Sequence, residues 1–273
     1  MGDRVDEAQR WMVSHWRGFF RSISAALLKV LGPIEDFLLW MPWWLLMGLV
    51  GLLAWRISGY KVAILTLVGL VLIGVAGIWD QAMRTLAVVG TATVMSVSVA
   101  IPMGIAMSKS NRFAGVMAPI LDTMQTIPAY VYLIPAIYFL GLGKVPAVMA
   151  TMVYAIPPAM RLTNLGIRLV SPDLKEAALA FGTTPWQMLL KVELPLARPT
   201  IMAGVNQTTM MALAMVVIAS IVGAPGRGAA VLAGIFNLEF GKGLVAGLGI
   251  VILAVIIDRI TQGFAKEVRR DGH

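Results

Sequence analysis

Residues Glu176–Pro195 read EAALAFGTTPWQMLLKVELP, a polar interlude in a chain otherwise built of Leu, Val, Ile, Ala and Met. Ser171-Pro172-Asp173 just before it is a helix start: serine to cap, proline in the first turn, and an acid against the helix dipole. That helix runs through Leu174 to Ala178 and ends before Gly182, which can take the left-handed conformation that closes a helix. Thr184-Pro185-Trp186-Gln187 starts a second helix, its Thr and Gln three apart as in a capping box. Pro195 and Pro199 interrupt the chain before the next apolar run. Two capped helices joined at a glycine make a stiff knob, suited to docking a partner or transmitting force. A merely well-ordered loop is the plainer reading.

Outward from this segment the solvent is lipid. The chain has 273 residues, 59% hydrophobic and 13% charged, with mean hydropathy +0.83. Soluble domains carry about 25% charged residues. The net charge of +8 does not point to nucleic acid, because the basic residues are scattered in short segments between apolar runs. No cysteine is present, and the two histidines, His15 and His273, lie near the ends, which speaks against thiolate or histidine chemistry. Seven runs are long and apolar enough to span a bilayer, near 37–55, 61–79, 86–107, 115–140, 145–163, 200–222 and 243–260. The fourth, with Pro128 and Pro135, reads as a kinked span. The expected fold is an all-α membrane protein of about seven transmembrane helices.

Orientation follows the lysines and arginines. The side holding loop 164–199 also holds Arg56, Lys61, Lys109, Arg112 and the tail with Arg259, Lys266, Arg269 and Arg270. The other side has Arg84, Lys144, Arg227 and Lys242, plus the N-terminal segment. The positive-inside rule makes the first side cytoplasmic. Residues 1–36 then lie outside as an amphipathic interfacial helix. In it Met12, Trp16, Phe19, Phe20, Ile23, Leu27, Val30 and Leu31 share one face, and Gly32-Pro33 is expected to stop it. The expected layout is this helix, two additional spans in 37–85, a core in 86–260 including loop 164–199, and a cytoplasmic tail in 261–273.

The spacing Glu-Ala-Ala, three residues, Gly, nine residues, Val-x-Leu-Pro resembles the cytoplasmic signature of permease subunits of ATP-binding-cassette importers. Glu176, Ala177, Ala178, Gly182, Leu194 and Pro195 match it, and Val192 stands where Ile is common. The resemblance implies a type I importer five-helix core over 86–260 and a coupling helix near 171–182. Glu176 would offer a polar contact, and the alanines close approach, to a separate ATPase that carries ATP and Mg2+. It also implies two ATPase copies, a second permease copy and an extracytoplasmic solute-binding protein. The chain itself is then no enzyme and binds no cofactor. Its nearest approach to a phosphate loop, Gly141-Leu142-Gly143-Lys144-Val145, lacks the first glycine and the hydroxyl, and reads as a tight turn with a solvated lysine.

The segments Leu121–Ala136 and Gly249–Arg259 are further similar to the glycine betaine/proline betaine branch, which imports compatible solutes such as quaternary amines and zwitterions. Gly223–Gly228 departs from that branch in carrying Pro225 and Arg227. Candidate pathway residues are Asp122, Gln125, Thr126 and Tyr132 on the fourth span, and Asn206 and Thr209 on the sixth. Polar groups at membrane depth face a bundle interior or a wet cavity, so interhelical hydrogen bonding competes with solute contact. Asp122 has Lys109 and Arg112 as candidate partners. Tyr130, Tyr132 and Tyr138 cannot all face one way, which leaves a high-affinity aromatic cage to the binding protein. The rival reading is a secondary transporter or channel for small polar solutes, needing no ATPase.

Overall fold

A computed structural model describes residues 11, 15–219 and 240–270, and they form helices only. In chain order these are α1 (Arg17–Trp40), α2 (Trp43–Ser58), α3 (Tyr60–Val75), α4 (Trp79–Lys109) and α5 (Asn111–Thr126). A 3-10 turn, Ala129–Tyr132, leads to α6 (Leu133–Leu140), followed by α7 (Lys144–Arg168) and α8 (Pro172–Ala180). A turn at Pro185–Gln187 and a π-helical stretch, Met188–Glu193, run into α9 (Leu194–Ala219), and α10 (Phe240–Arg270) follows. Gly223–Gly228 and Met12 lie outside the described residues.

Three helical runs are long and apolar enough to cross a membrane: α4, α7 and the continuous Pro185–Ala219. Counting each of two bent pairs as one span gives up to five, and α3 is a shorter apolar helix. The bends have a common local cause. Met41 and Ile127 each precede a proline and are extended, with ψ 127°. The proline ring disfavours helical geometry in the residue before it. The chain consequently turns by 105° between α1 and α2 and by 108° between α5 and α6. The fourth span is therefore broken at Pro128 rather than kinked, and α1 lies almost crosswise to α2. At 16 residues, α2 rises about 24 Å. Exposed Trp43 and Trp44 at one end, and Trp55 and Tyr60 at the other, place aromatic rings where membrane interfaces favour them.

Pro33 does not stop α1, contrary to the sequence expectation. Leu27, Leu31 and Glu35 recur every four residues and are all buried, so tertiary contact carries the helix through the proline. This stripe packs on Ala87, Val88, Val145 and Val148 of α4 and α7, and Phe20 stacks on Phe139 with centroids 4.9 Å apart. Glu35 accepts from Arg84 and from Lys144, both at 2.6 Å. Lys144 is thus an ion-pair partner, not a solvated turn residue. Gly141 and Gly143 on either side of Leu142, at φ 81° and 125°, shape the turn that delivers it. At the other end of the chain, the last helix continues to Arg270 instead of yielding to a tail at 261.

The core is α7 sandwiched between α4 and α9, brought close by small residues. A Cβ on Gly104 would stand 2.7 Å from the Met160 carbonyl oxygen, and one on Gly204 would stand 3.0 Å from the Ala159 Cα. Glycine here lets backbones approach closely where lipid gives no hydrophobic drive between helices. Gly104→Ala is expected to cost about 1–3 kcal/mol by overpacking. The check is the thermal midpoint of the detergent-solubilised chain followed by size exclusion; an unchanged midpoint would show that α4 and α7 part freely.

Candidate functional site

The segment between α7 and α9 folds as its caps require. Pro172 and Asp173 occupy the first turn of α8, although the Ser171 side chain makes no capping bond. Gly182 has φ 76°, and its N–H and that of Thr183 return to the carbonyls of Leu179 and Ala178. Thr184 and Gln187 form the reciprocal capping box, with Thr184 N–H donating to Gln187 Oε1 at 3.0 Å. The result is a fixed protrusion. No residue of α8 is buried, so Glu176 and Ala177 face outward, with Ala178 half-buried. Around them stand Leu174, Leu179, Phe181 and Trp186, the last two 91% and 73% exposed. A large exposed apolar rim on a rigid base marks a protein contact.

The base of the knob holds a group that sequence reading missed. Glu193, the x of Val-x-Leu-Pro, is 4% exposed. It accepts from Lys109 at the end of α4, and Lys175 of α8 lies 3.6 Å from its other oxygen. Lys175 also donates to the Ile167 carbonyl of α7. One carboxylate thus joins α4, α8 and α9. The π-helical stretch makes this possible, since its extra residue per turn sets where Glu193 points; such bulges recur at functional positions. The only signal in the sequence was an acid between Val192 and Leu194. Beside this base, Arg168 donates to Asn164, Asn111 and the Met107 carbonyl, each at 2.8 Å, tying the ends of α4, α5 and α7. Leu194 is half-buried and Pro195 exposed at the entrance to α9.

The candidate pathway residues separate into two groups. Asp122, Gln125 and Thr126 share an exposed face of α5. Asp122 pairs with Arg161 of α7, not with Lys109 or Arg112; α5 lays its Asp122 face toward α7, and Lys109 is taken by Glu193. Asn206 and Thr209 turn inward instead. Asn206 donates to Asp258 at 3.2 Å and accepts from Thr261 of α10, while Thr209 bonds its own helix at the Val205 carbonyl. Their neighbour Gln207 is exposed, and it lines a cavity with Gln125, Arg161 and Asn164. Tyr132 donates to the Met124 carbonyl across the break and meets Tyr154 edge-on at 5.6 Å; Tyr130 and Tyr138 are exposed.

These features define a helical membrane subunit with a rigid exposed knob at one end of its bundle and a polar face within it, a layout that fits a transport permease. The chain belongs to the binding-protein-dependent transport system inner membrane components: the family matches residues 96–270. It is a multi-pass inner-membrane transport subunit of an ATP-binding-cassette system, and ATP is handled by a partner, not by this chain. It is 47% identical over 269 residues to the glycine betaine/proline betaine transport system permease protein ProW of Escherichia coli (strain K12), covering 98% of this chain and 76% of that one. It is 44% identical to the glycine betaine transport system permease protein OpuAB of Bacillus subtilis (strain 168), covering 100% and 97%. In fold it is similar to a chain of the MetNI methionine ABC transporter in an inward-facing conformation, with TM-score 0.63 and 20% identity over 69% of this chain and 94% of that one.

Proposed function

We propose that this chain forms the translocation pathway of an importer for glycine betaine or related quaternary-amine zwitterions, driven through the knob by a separate ATPase. Two copies of the chain work with two ATPase subunits and receive solute from an extracytoplasmic binding protein. The knob side is cytoplasmic, with α2, α3, α4, the broken span α5–α6, α7, α9 and α10 crossing the membrane and the N-terminal segment on the outer side. The observation that carries the reading is the rigid protrusion bearing Glu176, Ala177, Ala178 and Gly182, rimmed by exposed Phe181 and Trp186 and anchored beneath by Glu193. A secondary transporter has no use for such a handle. Relatives over nearly the whole chain carry glycine betaine in their names, which supports the solute class.

The test is reconstitution in liposomes with the ATPase and binding protein. Uptake of glycine betaine should require all three components and ATP; uptake by the chain alone would make it a secondary transporter. Gly182→Asp should leave the chain inserted, because a Cβ there meets nothing within 4 Å. Its positive φ is nonetheless strained for any side chain, costing about 1 kcal/mol or more. A charge and a distorted turn at the contact are expected to abolish uptake. Normal uptake by that variant would remove the knob from the mechanism.

A further inference from the structure

The Asp122–Arg161 ion pair is unusual in where it sits. Asp122 lies eleven residues into α5, and Arg161 seven residues before the end of α7, so the pair is about 10 Å or more from the knob end of both helices. Yet the side chains are 66% and 37% exposed. A charge pair at membrane depth with open faces must meet water or another chain, since lipid would leave it unsolvated. Next to it is a cavity of about 420 Å3, lined by Gln125, Arg161, Asn164 and Gln207 among apolar residues. Arg161 spends one terminal nitrogen on Asp122, while its Nε is buried and has no hydrogen-bond partner among the described residues. A guanidinium whose other terminal nitrogen makes no hydrogen bond among the described residues, beside an exposed carboxylate, is half of a receptor.

We propose that Asp122 and Arg161 form the solute contact of the translocation pathway, and that a zwitterion passes by exchanging partners with the ion pair. This deepens the importer reading above and rests on it. The solute's carboxylate takes the guanidinium, which accepts a planar two-oxygen partner in its fork. The solute's quaternary ammonium, which has no N–H to donate, takes the Asp122 carboxylate by charge alone. Both protein charges stay compensated throughout, and so do both solute charges. A lone cation would satisfy Asp122 and strand Arg161, and a lone anion would do the reverse. Stranding a partly buried charge is what makes a wrong solute costly. Gln125, Asn164 and Gln207 supply neutral polar groups around the exchange without adding charge. Selectivity for zwitterions then arises in the membrane subunit itself, after delivery by the binding protein.

The experiment uses the permease–ATPase complex in nanodiscs without nucleotide. Saturation-transfer NMR reads the trimethylammonium protons of glycine betaine and of choline, which shares that group but lacks the carboxylate. The wild-type complex should favour glycine betaine by about fivefold, the value of one partly exposed ion pair. Arg161→Gln should erase that preference while the complex still assembles. Asp122→Asn frees the guanidinium, so sodium acetate should now displace glycine betaine, which it does not do in the wild type. A preference unchanged in Arg161→Gln, an acetate response absent from Asp122→Asn, or loss of assembly in both variants overturns the proposal; the last outcome makes the pair a folding contact. A wild-type complex that, moved to liposomes with ATP and the binding protein, fails to import glycine betaine overturns the importer reading instead.

Discussion

Replacing Glu193 with glutamine is expected to leave the subunit inserted and bound to its ATPase, yet to cut solute uptake about tenfold or more, equivalent to about 1.4 kcal/mol of lost coupling. The carboxylate is 4% exposed and is shared between Lys109 and Lys175, which are 44% and 29% exposed at their side chains. Removing one partner of a fully buried pair costs about 3–5 kcal/mol. Here both lysines retain access to water, so the fold should survive, with about 1–2 kcal/mol lost at the joint. The loss falls where motion has to be passed on. Without the charge, α4 meets the segment before α9 only through apolar packing of Ile101 and Ile105 near Leu189 and Ala197, and the polar tie from α4 to α8 through the shared carboxylate is gone. ATP hydrolysis should continue while uptake falls, so the ratio of solute moved to ATP consumed is the decisive measurement. An unchanged ratio would mean that force reaches the bundle by another route.

The second large effect is expected at the opposite end. Glu35→Ala removes the only carboxylate among the described residues that Arg84 and Lys144 share, leaving two cations facing each other across α4 and α7. The side chains of both cations are about one-third exposed, so the destabilisation is discounted to about 2 kcal/mol. Because Pro33 already deprives α1 of a backbone bond, the helix depends on this anchor to persist beyond it. Limited proteolysis of the purified protein should then cut near residues 30–42, in a region the parent protects. Glu35→Asp, too short to reach both cations, should show part of the same sensitivity. Protection unchanged in Glu35→Ala would leave Leu27 and Leu31 as sufficient attachment.

The knob was legible in the sequence because its instructions are local: a proline in the first turn, a capping box, and a glycine that must go left-handed. The existence of the apolar helices was legible for the same reason, since the runs 86–107 and 145–163 lie inside α4 and α7 and the run 200–222 overlaps α9, although α4 and α9 begin seven and six residues earlier. What escaped was long-range. Glu193 in a polar segment reads as solvated, and only the fold brings Lys109 to it from 84 residues away. Glu35 and Lys144, 109 residues apart, were equally invisible as partners. Pro33, Pro42 and Pro128 look alike on paper. The first sits in a stripe of buried contacts that holds the helix together, whereas the other two follow residues free to become extended. Asp122 was recognised as a polar intruder, but its partner depends on how α5 leans on α7.

The π-helical stretch at Met188–Glu193 also makes the direction of Glu193 depend on the number of residues that precede it. Deleting a single residue there would restore ordinary helical winding, and the backbone would be no worse for it. Each residue of an α-helix advances the side chains by about 100°. Glu193 would therefore swing away from its two lysines, and the knob would lose its polar tie to α4. Length in this segment is therefore expected to matter more than composition, as a gear depends on its number of teeth.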